Sequence, residues 1–168
     1  MSNRIVHIDC NVKIKLLHPK AVLPSKANHA DACFDVVAVS REVKDGYIEY
    51  GLGFATEIPV GWEAKFYPRS SISKYDLALA NSVATIDADY RGEWKARYRP
   101  TNRVFITPGS INTDRPLHAA YVGAPVIYEV GDKVGQISFQ RVPEVTFEQV
   151  ESLPETARGA GGFGSTGK

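Results

Sequence analysis

A chain of 168 residues with a net charge of +1 fits one domain and shows no broad basic or acidic face, which argues against a nucleic-acid or membrane surface. Its 43% apolar and 23% charged content is that of an ordinary soluble globular protein. The N-terminal MSNRIVHIDC lacks an apolar signal core, and no stretch approaches the ~18 apolar residues of a membrane span.

In chain order, Ile5–Leu17 alternates partly and is rich in Ile and Val, which predicts a strand. LHPKAVLPSKANHADA is a turn-rich connection. Cys33–Val39 is a short β-branched run, and Tyr47–Pro59 reads as a strand broken at Gly51 and Gly53. Trp62–Pro68 alternates. Ser70–Leu79 is the one plausible helical piece. Glu93–Pro100, Arg103–Thr107, Ala124–Val130 and Lys133–Val142 continue the strand pattern, with turns at KDG, PVG, YRG, TPG and VGD. Many short strands at short spacing predict an all-β barrel or sandwich. The pattern is lost from about Glu151, so residues 1–150 are expected to form the β domain and 151–168 an arm.

The chemistry-bearing stretches are each ambiguous alone. In TIDADYRGE, Asp87 and Asp89 flank Ala88; they are solvated acids at a hairpin tip, or one is a general base acting on water. PRSS sets the guanidinium of Arg69 beside the hydroxyls of Ser70 and Ser71, as a polar turn or an anion site. GDKVGQ enters a strand, and its Gln136 is a surface amide or a donor to a ligand. The tail RGAGGFGSTGK matches GxGxxG and GxxxxGK, but no helix follows either, so the dinucleotide and P-loop readings fail. What remains is a fraying end or a lid that orders on a phosphate ligand. Cys10 and Cys33 make no disulfide framework and read as small buried hydrophobes in a reducing cytosolic or nuclear compartment. His7, His18, His29 and His118 are scattered without zinc spacing and read as structural. HxE, CxxC and GxSxG do not occur.

Order adds what the single stretches lack. DACFDVVA, PRSSIS, NSVATIDADYRGE, GDKVGQ and RGAGGFGSTG succeed one another, and the series resembles the motif signature of the trimeric deoxyuridine triphosphatases, from about Asp31 to Gly167. The resemblance implies a distorted β-barrel or jelly roll with a flexible C-terminal arm, in a homotrimer whose subunits share each active site. It implies Mg²⁺-dependent hydrolysis of dUTP to dUMP and pyrophosphate by water attack at the α-phosphate. Such an activity limits uracil in DNA and supplies dUMP for dTMP synthesis.

By this resemblance Asp87 is the water-activating acid. Arg69, Ser70, Ser71 and Gln136 hold phosphates, and Asp35 stands near the metal, through metal-bound water. Asn81, with the chain at Ala84 and Ile86, reads the uracil; Tyr90 lies under the deoxyribose. In the arm, Arg158 meets the γ-phosphate, Phe163 stacks on uracil, Ser165 and Thr166 donate to phosphates, and Gly162 and Gly164 allow close wrapping. Three departures stand out. Ala84 occupies a usual glycine, Lys133 and Gly135 differ from the usual GDRxAQ, and Thr107–Pro125 reads as an inserted loop. The loop is expected as a surface excursion, a cover for the site or a contact for a regulatory partner. The rival readings are a dCTP deaminase, a bifunctional deaminase–diphosphatase and a nucleotide-dependent regulatory binding protein. The IDADY stretch and the complete arm favour the diphosphatase over the deaminase.

Overall fold

The structure, a computed structural model, describes residues 10–101 and 125–162. Three antiparallel sheets account for all the strands among them. The smallest pairs β1 (Lys13–Leu16) with β5 (Phe54–Glu57). A second runs in the order β2 (Phe34–Val37), β10 (Lys133–Arg141), β6 (Trp62–Tyr67), β8 (Ala84–Ile86). The third runs β3 (Ser40–Lys44), β4 (Tyr47–Gly51), β9 (Lys95–Pro100), β7 (Leu77–Leu79).

The two larger sheets bury their inner faces in one apolar cluster. Val36, Ala64, Phe66, Val134 and Ile137 come from one sheet; Ile48, Tyr50, Leu77, Leu79, Ala96 and Tyr98 come from the other. This is the packing that alternating strands require. At its centre the rings of Tyr50, Tyr98 and Tyr128 lie 5.6–6.0 Å apart in edge-on pairs. Two of the buried hydroxyls find acceptors: Tyr50 donates to the Tyr128 carbonyl at 3.1 Å, and Tyr98 to that of Val134, while the Tyr128 hydroxyl is buried without a hydrogen-bond partner among the described residues. Burial pushes the Tyr50 phenol up to about 12, so it stays a donor throughout the physiological range.

The all-β expectation holds, with four local differences. SREVK forms β3, where the polar sequence shows no strand; it is a mostly exposed edge, and its order comes from pairing with β4. Ser70–Leu79 is not one helix: Ser70–Lys74 makes a short 3₁₀ stretch, and Leu77–Leu79 joins β9. Leu77 and Leu79 are buried at strand spacing around exposed Ala78, and Arg69 gives the helical stretch no side-chain cap. Residues 125–129 join no ladder; Val126 instead donates to the Asp76 carboxylate at 2.7 Å and accepts from its N–H at 2.7 Å. Cys10 and Cys33 are half-buried rather than core. Ile5–Leu17 is described only from Cys10 onward, and Arg103–Thr107 lies outside the described residues. Among the described residues regular structure ends at Arg141, and residues 142–160 are exposed. No helix among the described residues is long and apolar enough to cross a membrane.

Candidate active site

Strands β7 and β8 are consecutive but pair in different sheets, β7 with β9 and β8 with β6. The expected hairpin around NSVATIDADY is therefore no ladder; its loop bridges two sheets. Ser82 turns it in the left-handed region at φ 60°, and the Val83 N–H donates to the Asn81 carbonyl at 2.6 Å. Where the sheets diverge, a cavity of about 480 Å³ opens, lined by Asn81, Ala84, Ile86, Asp87 and Tyr90 among others. The described residues matched to base, sugar and water thus meet in one place. A cavity of this size suits a small-molecule ligand. The carboxylate-bearing residue Asp87 is exposed, as a base that meets water must be.

The loop carrying Asp87 and Tyr90 is braced from within. Arg91 donates to the carbonyls of Ala88 at 2.6 Å, Tyr90 at 3.2 Å and Thr56 at 3.4 Å. The Tyr90 hydroxyl donates to the Glu93 carbonyl at 3.0 Å, which folds its ring back over Gly92. A Cβ on Gly92 would fall 2.5 Å from that hydroxyl oxygen, so only glycine admits the ring there. In the sequence Arg91 belongs to an ordinary YRG turn, and nothing in its spacing marks it as a brace.

Lys95 and Arg97 also line the cavity and were not anticipated. Both are held at 2.8 Å by the carboxylate of Glu49, whose side chain is 7% exposed. The Lys95 ammonium bonded to Glu49 holds that carboxyl below its usual range, and Arg97 adds to the effect. Alternation of Lys95, Arg97 and Arg99 on one face of β9 was the available signal.

A second polar cluster sits where β2, β10 and the end of β6 meet. Asp35 is the register partner of Gln136, and Gln136 of Tyr67. Asp35 accepts from Arg69 at 2.8 Å through one oxygen and from Lys133 at 2.8 Å through the other. Gln136 donates to the Pro68 carbonyl at 3.0 Å, so it is tied to the serine turn rather than lying as a surface amide. Ser70 is exposed and Ser71 half-buried at the start of that turn. Lys133 belongs to the cluster, although the sequence showed it only as a departure. None of these residues lines the 480 Å³ cavity.

Among the described residues no group of three or more His, Cys, Asp or Glu side chains stands ready for a metal. Arg158 is exposed and bonds to the Gly161 carbonyl at 3.0 Å. Gly162 is half-buried. Phe163, Gly164, Ser165 and Thr166 lie outside the described residues, as does the Thr107–Pro125 insertion except for Pro125. The described residues nearest the insertion on either side, Thr101 and Val126, both bond to Asp76, whose carbonyl accepts from the Thr101 N–H at 2.8 Å.

No protein-family model matches the chain. Over 160 residues it is 36% identical to the deoxyuridine 5'-triphosphate nucleotidohydrolase of Corynebacterium glutamicum, an alignment spanning 94% of this chain and 95% of the relative. The chain belongs to the dUTPase family. The enzyme of the same name from Wolinella succinogenes is 35% identical over 162 residues, spanning 94% and 95% of the two chains. Among solved structures, the dUTPase of Staphylococcus bacteriophage 80alpha with dUPNHPP superposes with a TM-score of 0.71 at 22% identity, covering 94% of this chain and 99% of that one. The dUTPase of phage phi11 of S. aureus superposes at 0.64 with 21% identity, covering 87% and 99%. These structural likenesses show the dUTPase fold, and the closer sequence relatives make the chain a dUTP diphosphatase by family.

Proposed function

We propose that the chain hydrolyses dUTP to dUMP and pyrophosphate at a site built from its two polar regions. The observation that carries this reading is the cavity that gathers Asn81, Ala84, Ile86, Asp87 and Tyr90. Asn81 and the adjoining backbone present amide and peptide groups to the uracil edge. Tyr90, folded over Gly92, offers its ring face to the deoxyribose. The Asp87 carboxylate takes a proton from water as its oxygen bonds to the α-phosphorus. The bond from that phosphorus to the α,β-bridging oxygen breaks, and pyrophosphate leaves.

The cluster of Arg69, Lys133, Gln136, Ser70 and Ser71 suits the phosphate chain, because developing charge on phosphoryl oxygens is stabilised by fixed donors. Within one chain this cluster contributes nothing to the cavity lining. A homotrimer in which one subunit's cluster faces another's cavity, with the arm residues Arg158 and Phe163 closing over it, completes the site. Mg²⁺ fits only in a particular way. Both Asp35 oxygens are engaged by cations, and no carboxylate cage exists among the described residues. Such a set suits an ion that takes its ligands from phosphates and water, with Asp35 holding a metal-bound water. Bound so, the ion would neutralise phosphate charge.

Pyrophosphate release from dUTP, dCTP, dTTP and UTP, with and without Mg²⁺ and with ammonia monitored, tests the reading. Release from dUTP alone, dependent on Mg²⁺, is expected; ammonia from dCTP would move the chain to the deaminases. Sedimentation should give three times the chain mass, and a monomer active on dUTP would refute the shared site.

A further inference from the structure

Phe66 stands on β6, the strand between β8 and β10. It is the register partner of Ala84 on one side and of Ile137 on the other, and it is 3% exposed. Its ring occupies the space that any side chain at position 135 would need. A Cβ on Gly135 would lie 2.0 Å from the ring Cζ, 2.6 Å from Cε1 and 2.7 Å from Cε2. Real carbon atoms do not approach so closely, so the ring sits where it does only because residue 135 is glycine. Phe66 also lines the nucleoside cavity together with Ala84. Of the positions at which this chain departs from the usual family pattern, 135 thus lies under the Phe66 ring and 84 is its register partner across the ladder.

We propose that Phe66 is a specificity-determining residue: seated over Gly135, it forms the inner wall of the cavity and fixes its depth, so that uracil fits and a base with a larger 5-substituent does not. The inference rests on the dUTPase reading of this cavity. Its physical basis is that a buried ring in a close-packed core does not yield without disturbing its neighbours. Adding a methyl at Gly135 must drive the ring toward Ala84 and the cavity, whereas shortening the ring must deepen the cavity.

The test compares the wild-type chain with Phe66→Leu, Gly135→Ala and the double variant. It measures kcat and KM for dUTP and dTTP, and thermal unfolding of each protein. Phe66→Leu should raise the dTTP-to-dUTP ratio of kcat/KM about tenfold or more, as one methylene in an apolar pocket commonly does. Gly135→Ala should raise KM for dUTP about tenfold with kcat little changed, the signature of lost ground-state binding. In the double variant leucine leaves room for the methyl, so KM should return toward wild type. A purely structural role would lower the unfolding temperature without moving the substrate ratio. A folded Phe66→Leu with an unchanged ratio overturns the proposal. If that variant does not fold, Phe66→Met decides by the same ratio. A wild-type chain that does not turn over dUTP would sink the dUTPase reading instead.

Discussion

Replacing Glu49 with glutamine isolates an ion-pair device at the cavity edge. Glu49 is 7% exposed and bonds at 2.8 Å to Lys95 and to Arg97, which are 43% and 57% exposed. Breaking a fully buried pair costs about 3–5 kcal/mol. Here the cations remain largely in water, and glutamine keeps one acceptor, so the expected cost is about 1–2 kcal/mol. For a chain of this length that lowers Tm by about 3–6 °C. The pH dependence has a definite sign. The folded carboxyl titrates below its ordinary value of 4.5, so its contribution is complete above that value and is lost as pH falls through the lower folded value. Thermal unfolding by circular dichroism from pH 8 to pH 3 should show a wild-type advantage that is flat near neutrality and closes in acid. An advantage absent at pH 7, or unchanged down to pH 3, would refute the assignment.

Asp87→Asn should retain binding of a non-hydrolysable dUTP analogue and lose about 10²–10⁴-fold in kcat, the usual worth of a positioned base; wild-type kcat would refute it as the base. Gly92→Ala puts a methyl 2.5 Å from the Tyr90 hydroxyl and must displace the ring, so discrimination against UTP should fall about tenfold or more while dUTP is still turned over. An unchanged UTP-to-dUTP ratio would show that Tyr90 does not police the sugar. Truncation after Thr156 removes a segment whose described backbone bonds are local, Gly159 to Thr156 and Gly161 to Arg158. Tm should stay within about 2 °C, the range of surface changes, while kcat/KM falls at least about 100-fold; a collapsed Tm would make the arm structural.

Strand-forming segments were legible wherever the residues alternate or are β-branched, as in WEAKFY and KVGQISFQR, because one face of each must be buried. SREVK was not legible, since an exposed edge needs no apolar face and takes its order from its partner. LAL was misread because three residues cannot distinguish a strand from a helical turn; its ladder with β9, far along the chain, decides. For the site, the ordered motifs marked Asp87, Tyr90, Asn81, Arg69 and Gln136, and the fold gathers them in two regions. Glu49 and Arg91 escaped because their roles depend on contacts between distant strands or with carbonyls, which leave no spacing in the sequence.

The two polar regions are built on the same device. Asp35 holds Arg69 and Lys133, and Glu49 holds Lys95 and Arg97, so each region contains a trio of two cations on one carboxylate that keeps one positive charge. If attraction of a polyanion were the only requirement, the carboxylates would be a fault, since each cancels a charge. Their use is placement: two cations left alone repel and wander, while a shared anion holds both at a known distance. Asp35→Asn separates these effects. The local charge rises by one, so inhibition by inorganic pyrophosphate should tighten, by about threefold to tenfold for a partly exposed site. The cations lose their anchor at the same time, so kcat should fall about tenfold or more, because small misplacements at a reacting centre are costly. Tighter pyrophosphate binding with slower turnover supports placement as the reason for the carboxylate. Weaker pyrophosphate binding would mean that Asp35 holds the cluster's fold, and unchanged kcat would mean that the position of Arg69 and Lys133 is irrelevant to the chemical step.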